Sequence, residues 1–201
     1  MSGLVDKLRL KEQAEEDTWF ARRDRELIEA LHARQNAPVH QGEGDRLLLR
    51  RVVSGGQTGV DRAALDAARA AGLPIGGWCP RGRRAEDGPL PEAYPLQETP
   101  SHRYAQRTEW NVRDSDGTLI LQRGGLSAGT LLTAGLARRI GRPLLLVDLG
   151  EGRDHAGVRE WVRKNRIEVL NVAGPRERGA PGIGLQAQAF LRMVFLAGRG
   201  G

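Results

Sequence analysis

Leu47-Leu-Leu-Arg-Arg-Val-Val-Ser-Gly-Gly-Gln-Thr-Gly-Val-Asp-Arg-Ala-Ala-Leu-Asp-Ala-Ala-Arg-Ala-Ala71 decides the fold. Its apolar start, 47–53, reads as a buried strand, and its alanine-rich end, 61–71, reads as a helix that Gly72 and Pro74 terminate. Between them lies a turn with Gly55, Gly56 and Gly59. A glycine turn that opens a helix leaves backbone N–H groups free at the helix N-terminus, where the macrodipole favours an anion. Gln57 lies within this turn, and Thr58 can add a hydroxyl. The spacing Gly-Gly-x-x-Gly differs from the dinucleotide fingerprint Gly-x-Gly-x-x-Gly, and no Lys-Ser/Thr pair marks a nucleoside triphosphate loop. The same glycines also suit a tight strand-to-helix turn with no ligand.

Working outward, strand and helix keep alternating. Strands are expected at 75–78, 118–121, 143–147 and 168–172, and helices at 102–114, 130–140, around 158–163 and at 183–196; 80–95 reads as a long loop. Such alternation implies right-handed crossovers and an α/β fold, a mostly parallel sheet with helices on both faces. Ligands then sit beyond the carboxyl ends of the strands. Both glycine turns fall there, because Gly124-Gly-Leu-Ser-Ala-Gly-Thr130 follows another strand, with Gly124, Gly125 and Gly129 as its glycines, Ser127 as a candidate ligand contact and Thr130 placed to cap or to touch phosphate. This turn too could serve helix geometry alone.

Before the domain, 4–34 holds no glycine or proline and reads as a charged helix with a thin apolar stripe of Phe20, Leu27 and Leu31, supported by the pairs Arg22/Glu26 and Arg25/Glu29. The expected organisation is an N-terminal helical extension over 1–35, a linker over 36–46 and a ligand-binding domain over 47–201. No repeat or low-complexity tract interrupts it.

The chain has 201 residues, 39% hydrophobic, with 27 glycines and 10 prolines, which suits one packed core with many turns. Its formal charge of +6 is uneven: 1–50 hold 9 Lys and Arg against 10 Asp and Glu, whereas 51–201 hold 22 against 15. A basic domain favours anionic ligands, although an Arg-rich solvated surface gives the same count. Cys79 is the single cysteine, which excludes an intrachain disulfide and a cysteine-built zinc site. No window reaches the length of a membrane span, so a cytoplasmic protein is expected.

The loop after the second expected strand holds Arg81, Arg83 and Arg84, whose planar forks suit phosphate oxygens, with Glu86 and Asp87 as bases or as partners of those arginines, pairing being the favoured reading. In the helix 102–114, Arg107 is a further candidate contact and Glu109 a further candidate acid or base; Asp116 follows it. Trp110 could stack on a flat ring but is expected in the core. His102 and His155 lack partners at ligand spacing, so no metal site is assigned.

Six blocks in order carry a resemblance: Val52-Val-Ser-Gly-Gly-Gln-Thr-Gly-Val-Asp-Arg-Ala-Ala-Leu-Asp66, Gly76-Gly-Trp-Cys-Pro80, Ala85-Glu-Asp-Gly-Pro89, Tyr94-Pro-Leu-Gln-Glu-Thr99, Arg107-Thr-Glu-Trp-Asn-Val-Arg-Asp-Ser-Asp116 and Asn171-Val-Ala-Gly-Pro-Arg-Glu177. Over about 50–197 the chain resembles the molybdenum cofactor carrier family, itself similar to the Rossmann-like lysine-decarboxylase-like phosphoribohydrolases and nucleotide-sensing domains. The resemblance implies a Rossmann-like sheet and a phosphate-anchoring site at Gly55, Gly56, Thr58, Gly59, Gly124, Gly125, Gly129 and Thr130. The implied ligand is molybdenum cofactor, with its flat pterin, dithiolene-held metal and terminal phosphate, or a nucleotide; no side chain is expected to ligate the metal.

The phosphoribohydrolases carry Pro-Gly-Gly-x-Gly-Thr-x-x-Glu at the second turn. Here Arg123 replaces the proline, Gly125 and Gly129 stand further apart, and Thr133 occupies the glutamate's place. A binding protein is therefore the leading expectation. The rivals are an enzyme hydrolysing nucleotides with Glu86, Asp87, Glu109 or Asp116, and a nucleotide-sensing domain with an N-terminal docking helix. Nucleic acid fits poorly, for want of interleaved aromatics. Residues 11–31 show a weaker likeness to the mitochondrial ATP synthase inhibitor protein, which with the charged helix 4–34 suggests a protein partner or self-association. A homo-oligomer is expected.

Overall fold

The computed structural model describes residues 47–151 and 154–196; the expected helix 4–34 and linker 36–46 lie outside them. Five parallel strands form the main sheet: β1 (Arg51–Val53), β2 (Ile75–Gly76), β7 (Gly117–Gln122), β8 (Leu144–Asp148) and β9 (Val169–Ala173). Four two-residue strands lie outside it. β3 (Trp78–Cys79) pairs in parallel with β6 (Gln97–Glu98), and β4 (Arg84–Ala85) forms a hairpin with β5 (Gly88–Pro89). The helices are α1 (Val60–Ala70), α2 (Tyr104–Arg113), α3 (Ala128–Ile140), α4 (His155–Lys164) and α5 (Ile183–Leu196).

The spatial order is β2-β1-β9-β7-β8. Counting β9 first and the rest in chain order turns this into 3-2-1-4-5, the first five strands of the Rossmann order. The sheet is thus a Rossmann half whose opening strand has been moved to the end of the chain. β9 pairs with β1 on one side, Val52 opposite Leu170, and with β7 on the other, Leu119 opposite Val172. Right-handed crossovers set α1, α4 and α5 on one face and α2 and α3 on the other. The packing agrees: α5 lies against α1 and α4, and α2 against α3.

Each strand is apolar because both its faces are covered. In β7, Leu119, Ile120 and Leu121 are wholly buried. α1 turns Val60, Ala63, Ala64, Leu65, Ala67 and Ala68 inward, the small alanines allowing close approach to α5 and the sheet. Ser127 caps α3 by accepting the Thr130 N–H, and Gly141 closes that helix in the left-handed conformation.

Several expectations needed correction. β1 begins only at Arg51, with Leu48 77% exposed. The expected strand 75–78 is two strands in two sheets, because Gly77 at φ +124 breaks the run. The loop 80–95 contains the β4–β5 hairpin, held by Arg83, which donates to the carbonyls of Leu90, Pro91, Tyr94 and Leu96. Trp110 is half-buried and not in the core, set edge-on to Trp78 at 4.7 Å between centroids and under the Arg113 guanidinium.

Asn111 ties the two layers together. Buried in α2, it accepts the Trp78 N–H at 2.9 Å and donates to the Trp78 and Arg107 carbonyls. Asn111→Leu strands the Trp78 amide groups without partners, and each such group costs roughly 1 to 3 kcal/mol. The expected outcome is a lower urea midpoint at unchanged slope, a loss of about 3 kcal/mol.

Candidate ligand site at the carboxyl edge of the sheet

The switch point of a Rossmann order lies between its first and fourth strands, here β9 and β7. Over it converge the chain after β1 (Ser54 to Gly59), the chain after β9 (Gly174-Pro175-Arg176) and the chain after β7 (Arg123 to Ser127). Ser54 Oγ donates to the Val172 carbonyl and fastens the first of these to the central strand.

The two glycine turns share this edge but not one level. Val53, Asn171 and Thr118 are in register, so β7 continues four residues past the end of β1. The chain after β1 rises past Val53 as well, until Val60 is level with Leu121, since a Cβ on Gly174 would strike both; the second turn therefore opens two residues, roughly 7 Å, further out.

Their surroundings also differ. In the first turn each glycine answers to a close neighbour: a Cβ on Gly55 would strike the Arg107 guanidinium, one on Gly56 would strike Leu90 and Leu96, and one on Gly59 would strike Pro175 and Glu177. Some of the amides there are engaged within the chain: Thr58 N donates to Gln57 Oε1 and Val60 N to the Pro175 carbonyl. Thr58 Oγ1 donates to Glu86 and accepts from Glu177 N, so its hydroxyl is engaged. The second turn is open. Gly124 and Gly125 hold φ of +69 and +123 with open space where a methyl group would stand, and Ser127, Ala128 and Gly129 are exposed. Its Gly124 N–H is nonetheless taken by Asp148 Oδ2 at 3.0 Å, and Thr130 is buried with its hydroxyl on the Ser127 carbonyl.

Across the first turn runs a buried ion pair. Arg107 Nη1 lies 3.1 Å from Asp61 Oδ2, with the side chains 13% and 4% exposed. Burial pushes the Asp61 carboxyl above the usual carboxylate range, against the opposing pull of Arg107 and the Gln57 amide. The Tyr104 ring lies beside Arg107 and under Arg176, whose Cζ is 4.5 Å from its centroid. Two guanidinium groups thus flank one aromatic ring at the mouth of the crevice.

Beside the crevice a cleft of about 550 Å³ opens between the starts of α1 and α5 and the β4–β5 hairpin; Thr58, Arg62, Asp66, Glu86, Asp87, Glu177, Arg178 and Gln188 are among its walls. Its charges are mostly paired within the chain. Arg62 holds Asp87 through two contacts, which keeps the Asp87 carboxyl below its ordinary range. Glu86 also accepts from Arg178 N. Glu177 occupies the N-terminus of α5, accepting the N–H groups of Gly182 and Gly184. The favoured pairing of Glu86 and Asp87 is therefore corrected as to partner: Arg62, Thr58 and the Arg178 amide take the place of Arg81, Arg83 and Arg84.

Of the other candidates, Arg81 and Arg84 are exposed on the hairpin loop, and Arg83 is committed to the carbonyls it gathers. Two acids stand away from the site. Asp116 accepts from Glu168 N and Val169 N at the opposite edge of the sheet, and Glu109 pairs with Arg139 on the helical surface. Among the described residues no group of three His, Cys, Asp or Glu is placed to hold a metal ion, and no helix is long and apolar enough to cross a membrane.

Residues the sequence reading missed are Asp61, Tyr104 and Arg176. Tracing the chain past the end of every strand would have found Arg176, since it follows β9 as Arg123 follows β7.

A five-stranded permuted Rossmann sheet with its loops gathered over the switch point defines the class as α/β with a ligand crevice. The sequence pattern of the circularly permutated YpsA SLOG family matches residues 52–195, and the chain belongs to that family. Its name agrees with the displaced β9. A solved structure from Syntrophus aciditrophicus SB, named "Putative molybdenum carrier protein", is 44% identical over 78% of this chain and all of its own length, with a TM-score of 0.74. No curated protein matched the chain.

The Asp61–Arg107 pair makes a prediction. The folded chain keeps the Asp61 proton at pH values where the unfolded chain has released it, so the stability this group contributes is full below the unfolded carboxylate value and falls as pH rises through the raised folded value. Urea midpoints from acid to neutral pH should show that fall in the wild type and lack it in Asp61→Asn; parallel profiles would contradict it. Arg107→Met, which leaves the buried carboxyl unpaired, should cost about 3 kcal/mol at neutral pH.

Proposed function

We propose that this protein is a carrier or binding protein for a phosphate-bearing pterin of molybdenum cofactor type, with a nucleotide as the alternative ligand, held over the switch point between β9 and β7. The observation that carries this reading is a set of buried polar atoms without hydrogen-bond partners at one edge: Gln57 Nε2 and Arg107 Nε around the first turn, and Gln122 Oε1 at the end of β7. Buried polar groups are nearly always satisfied, and each exception asks for a partner. Two donors and an acceptor match the mixed edge of a pterin or a base.

The remaining parts fit the same ligand. Arg176, with Arg107 behind it, supplies positive charge for a phosphate or an oxo-anion, and Tyr104 offers a flat ring. The open second turn, with Gly125, Ser127 and Gly129 at the N-terminus of α3, offers main-chain amides some distance away. A ligand with an anion at one end and a ring system at the other suits this separation. When bound, the cofactor would bring its own redox-active metal; the chain's residues bind, orient and shield. The carrier name of the 44% identical relative supports the pterin reading.

Binding is preferred to hydrolysis because Thr133, where phosphoribohydrolases carry a glutamate, is buried with its hydroxyl on the Gly129 carbonyl.

Native mass spectrometry of protein purified from its own host is expected to show a retained small molecule whose mass separates pterin from nucleotide. Gly129→Val is the local test. A Cβ there meets only Ser127 Oγ at 3.9 Å in ordinary helical backbone, so the fold should stand while retention drops by about tenfold or more. Full retention in this variant would remove the second turn from the site. Release of free base from nucleoside monophosphates, lost in Glu86→Gln, would favour the hydrolase instead.

A further inference from the structure

The Asp61 carboxyl and the ligand crevice draw on the same two cations. Asp61 lies in the first turn of α1 with 4% of its side chain exposed, so water does little for its charge. Groups from three other segments act on it instead. Arg107 reaches it from α2, with Nη1 3.1 Å from Oδ2; Arg176 acts on it from the chain after β9; and the Gln57 backbone amide donates to it from the turn after β1. Arg107 and Arg176 are also the groups that flank the Tyr104 ring at the mouth of the crevice, the place proposed for the ligand's anion.

Arg107 is held where it stands. Its guanidinium lies against Gly55, where a Cβ would strike Nη1, Cζ and Nε, and its side chain is 13% exposed. Nη1 faces Asp61, and Nε is buried with no partner. A guanidinium has five N–H donors in a fixed fork, so it can hold two acceptors at once, but it has one positive charge to divide between them.

The sign of the effect follows. A ligand anion at Arg107 and Arg176 sets a second negative charge beside Asp61, and a ligand covering the crevice removes what water remains; both favour the neutral carboxyl. Burial already pushes that carboxyl above the usual range.

We propose that Asp61 is a positioning residue that makes ligand binding proton-linked: as a carboxylate it steadies Arg107 in the empty crevice, and it takes up one proton from solvent when a ligand anion engages the two arginines. This deepens the proposed function and rests on it. The neutral carboxyl still accepts from Arg107 through its carbonyl oxygen, so the guanidinium keeps its place and gives its charge to the ligand. Linkage is reciprocal: the ligand holds the proton on Asp61, and the proton holds the ligand. Affinity is highest in acid, where Asp61 is protonated already. It falls as pH rises through the Asp61 value of the empty crevice and levels off above the higher value of the occupied one. A carrier has to release what it holds, and withdrawal of this proton weakens the grip without displacing a side chain.

Titration calorimetry of the full-length protein tests the coupling, with the methyl ester of guanosine 5′-monophosphate as probe. Its ring presents the amino and oxo edge of a pterin, and its phosphodiester keeps one negative charge from acid to neutral pH. The wild type should bind the probe about tenfold more weakly at neutral pH than in acid, with proton uptake visible as a dependence of the binding heat on the buffer's ionisation heat. Asp61→Asn mimics the protonated carboxyl, its amide oxygen accepting from Arg107. It should match the wild type in acid, bind about tenfold more tightly than the wild type at neutral pH, and take up no proton at this site. A purely structural role for Asp61 predicts the reverse, weaker binding by the variant throughout.

Parallel pH profiles, or a variant weaker than the wild type at neutral pH, overturn the proposal. If Asp61→Asn fails to fold, the wild type decides alone, and binding without proton uptake anywhere between acid and neutral pH overturns the coupling while leaving the proposed function standing. A wild type that binds the probe at no pH overturns both.

Discussion

The main sheet exists because its last strand enters at its centre. β1 and β7 do not touch each other; each is hydrogen-bonded to β9, and β2 and β8 attach outside them. The central ladder therefore joins residues more than a hundred positions apart, Val52 with Leu170 among them. Contacts of that separation are slow to form, because loop-closure entropy must be met before any burial rewards it. What sustains the strand once placed is apolar cover on both faces, with Leu170, Val172 and α5's Phe190 and Leu191 all buried. α5 stands where the crossover helix between first and second strands stands in the unpermuted order, so moving one strand and its helix to the chain's end leaves the layers unchanged.

The permutation also explains how the crevice is built. A Rossmann crevice normally draws on the loop after the first strand, and here that loop is Gly174-Pro175-Arg176, near the end of the sequence, while the glycine turn after β1 belongs to the second strand of the unpermuted order. Gly59 and Gly174 are where these pieces meet. A side chain on Gly59 would strike Pro175 and Glu177, and one on Gly174 would strike the Leu121 carbonyl and Val60. The helix termini that open here are already partly satisfied by carboxylates of the chain itself: Asp61 in the first turn of α1 and Glu177 at α5. The anion-binding capacity left over lies at the N-terminus of α3, which has a serine cap and no acid in its first turn.

The alternation of elements was legible, and α5 was readable to its bounds, because a long apolar stretch after Pro181-Gly182, interrupted only by Gln186, Gln188 and Arg192, admits one reading. Strand order was not. Nothing in the period or composition of 168–172 says that it lies between β1 and β7, since every strand of a covered parallel sheet looks alike. Within the site, the glycine turns were visible as local patterns, but the neighbours that occupy them were not. Arg107 was marked as a ligand contact on charge alone; its ion pair with Asp61 joins residues 46 positions apart and depends on the fold. Arg83 misled for the opposite reason, since an arginine in a long loop reads as a phosphate contact whether it faces a ligand or, as here, draws four carbonyls together.

The offset between the two glycine turns constrains what the crevice can hold. A lone phosphate or oxo-anion could reach only one of them, because β1 and β7 flank β9 at about 4.8 Å per strand spacing and the second turn opens roughly 7 Å further out. At the first turn a small anion would meet Arg107 already paired with Asp61; at the second it would meet an exposed loop whose first amide is held by Asp148. Neither half is a strong anion trap alone. A ligand that spans both, with its anion near one turn and its ring edge on Gln57, Arg107 and Gln122, gains from each without requiring either to be emptied of its own carboxylate. On the proposed reading, such a two-ended molecule suits this arrangement better than free phosphate does.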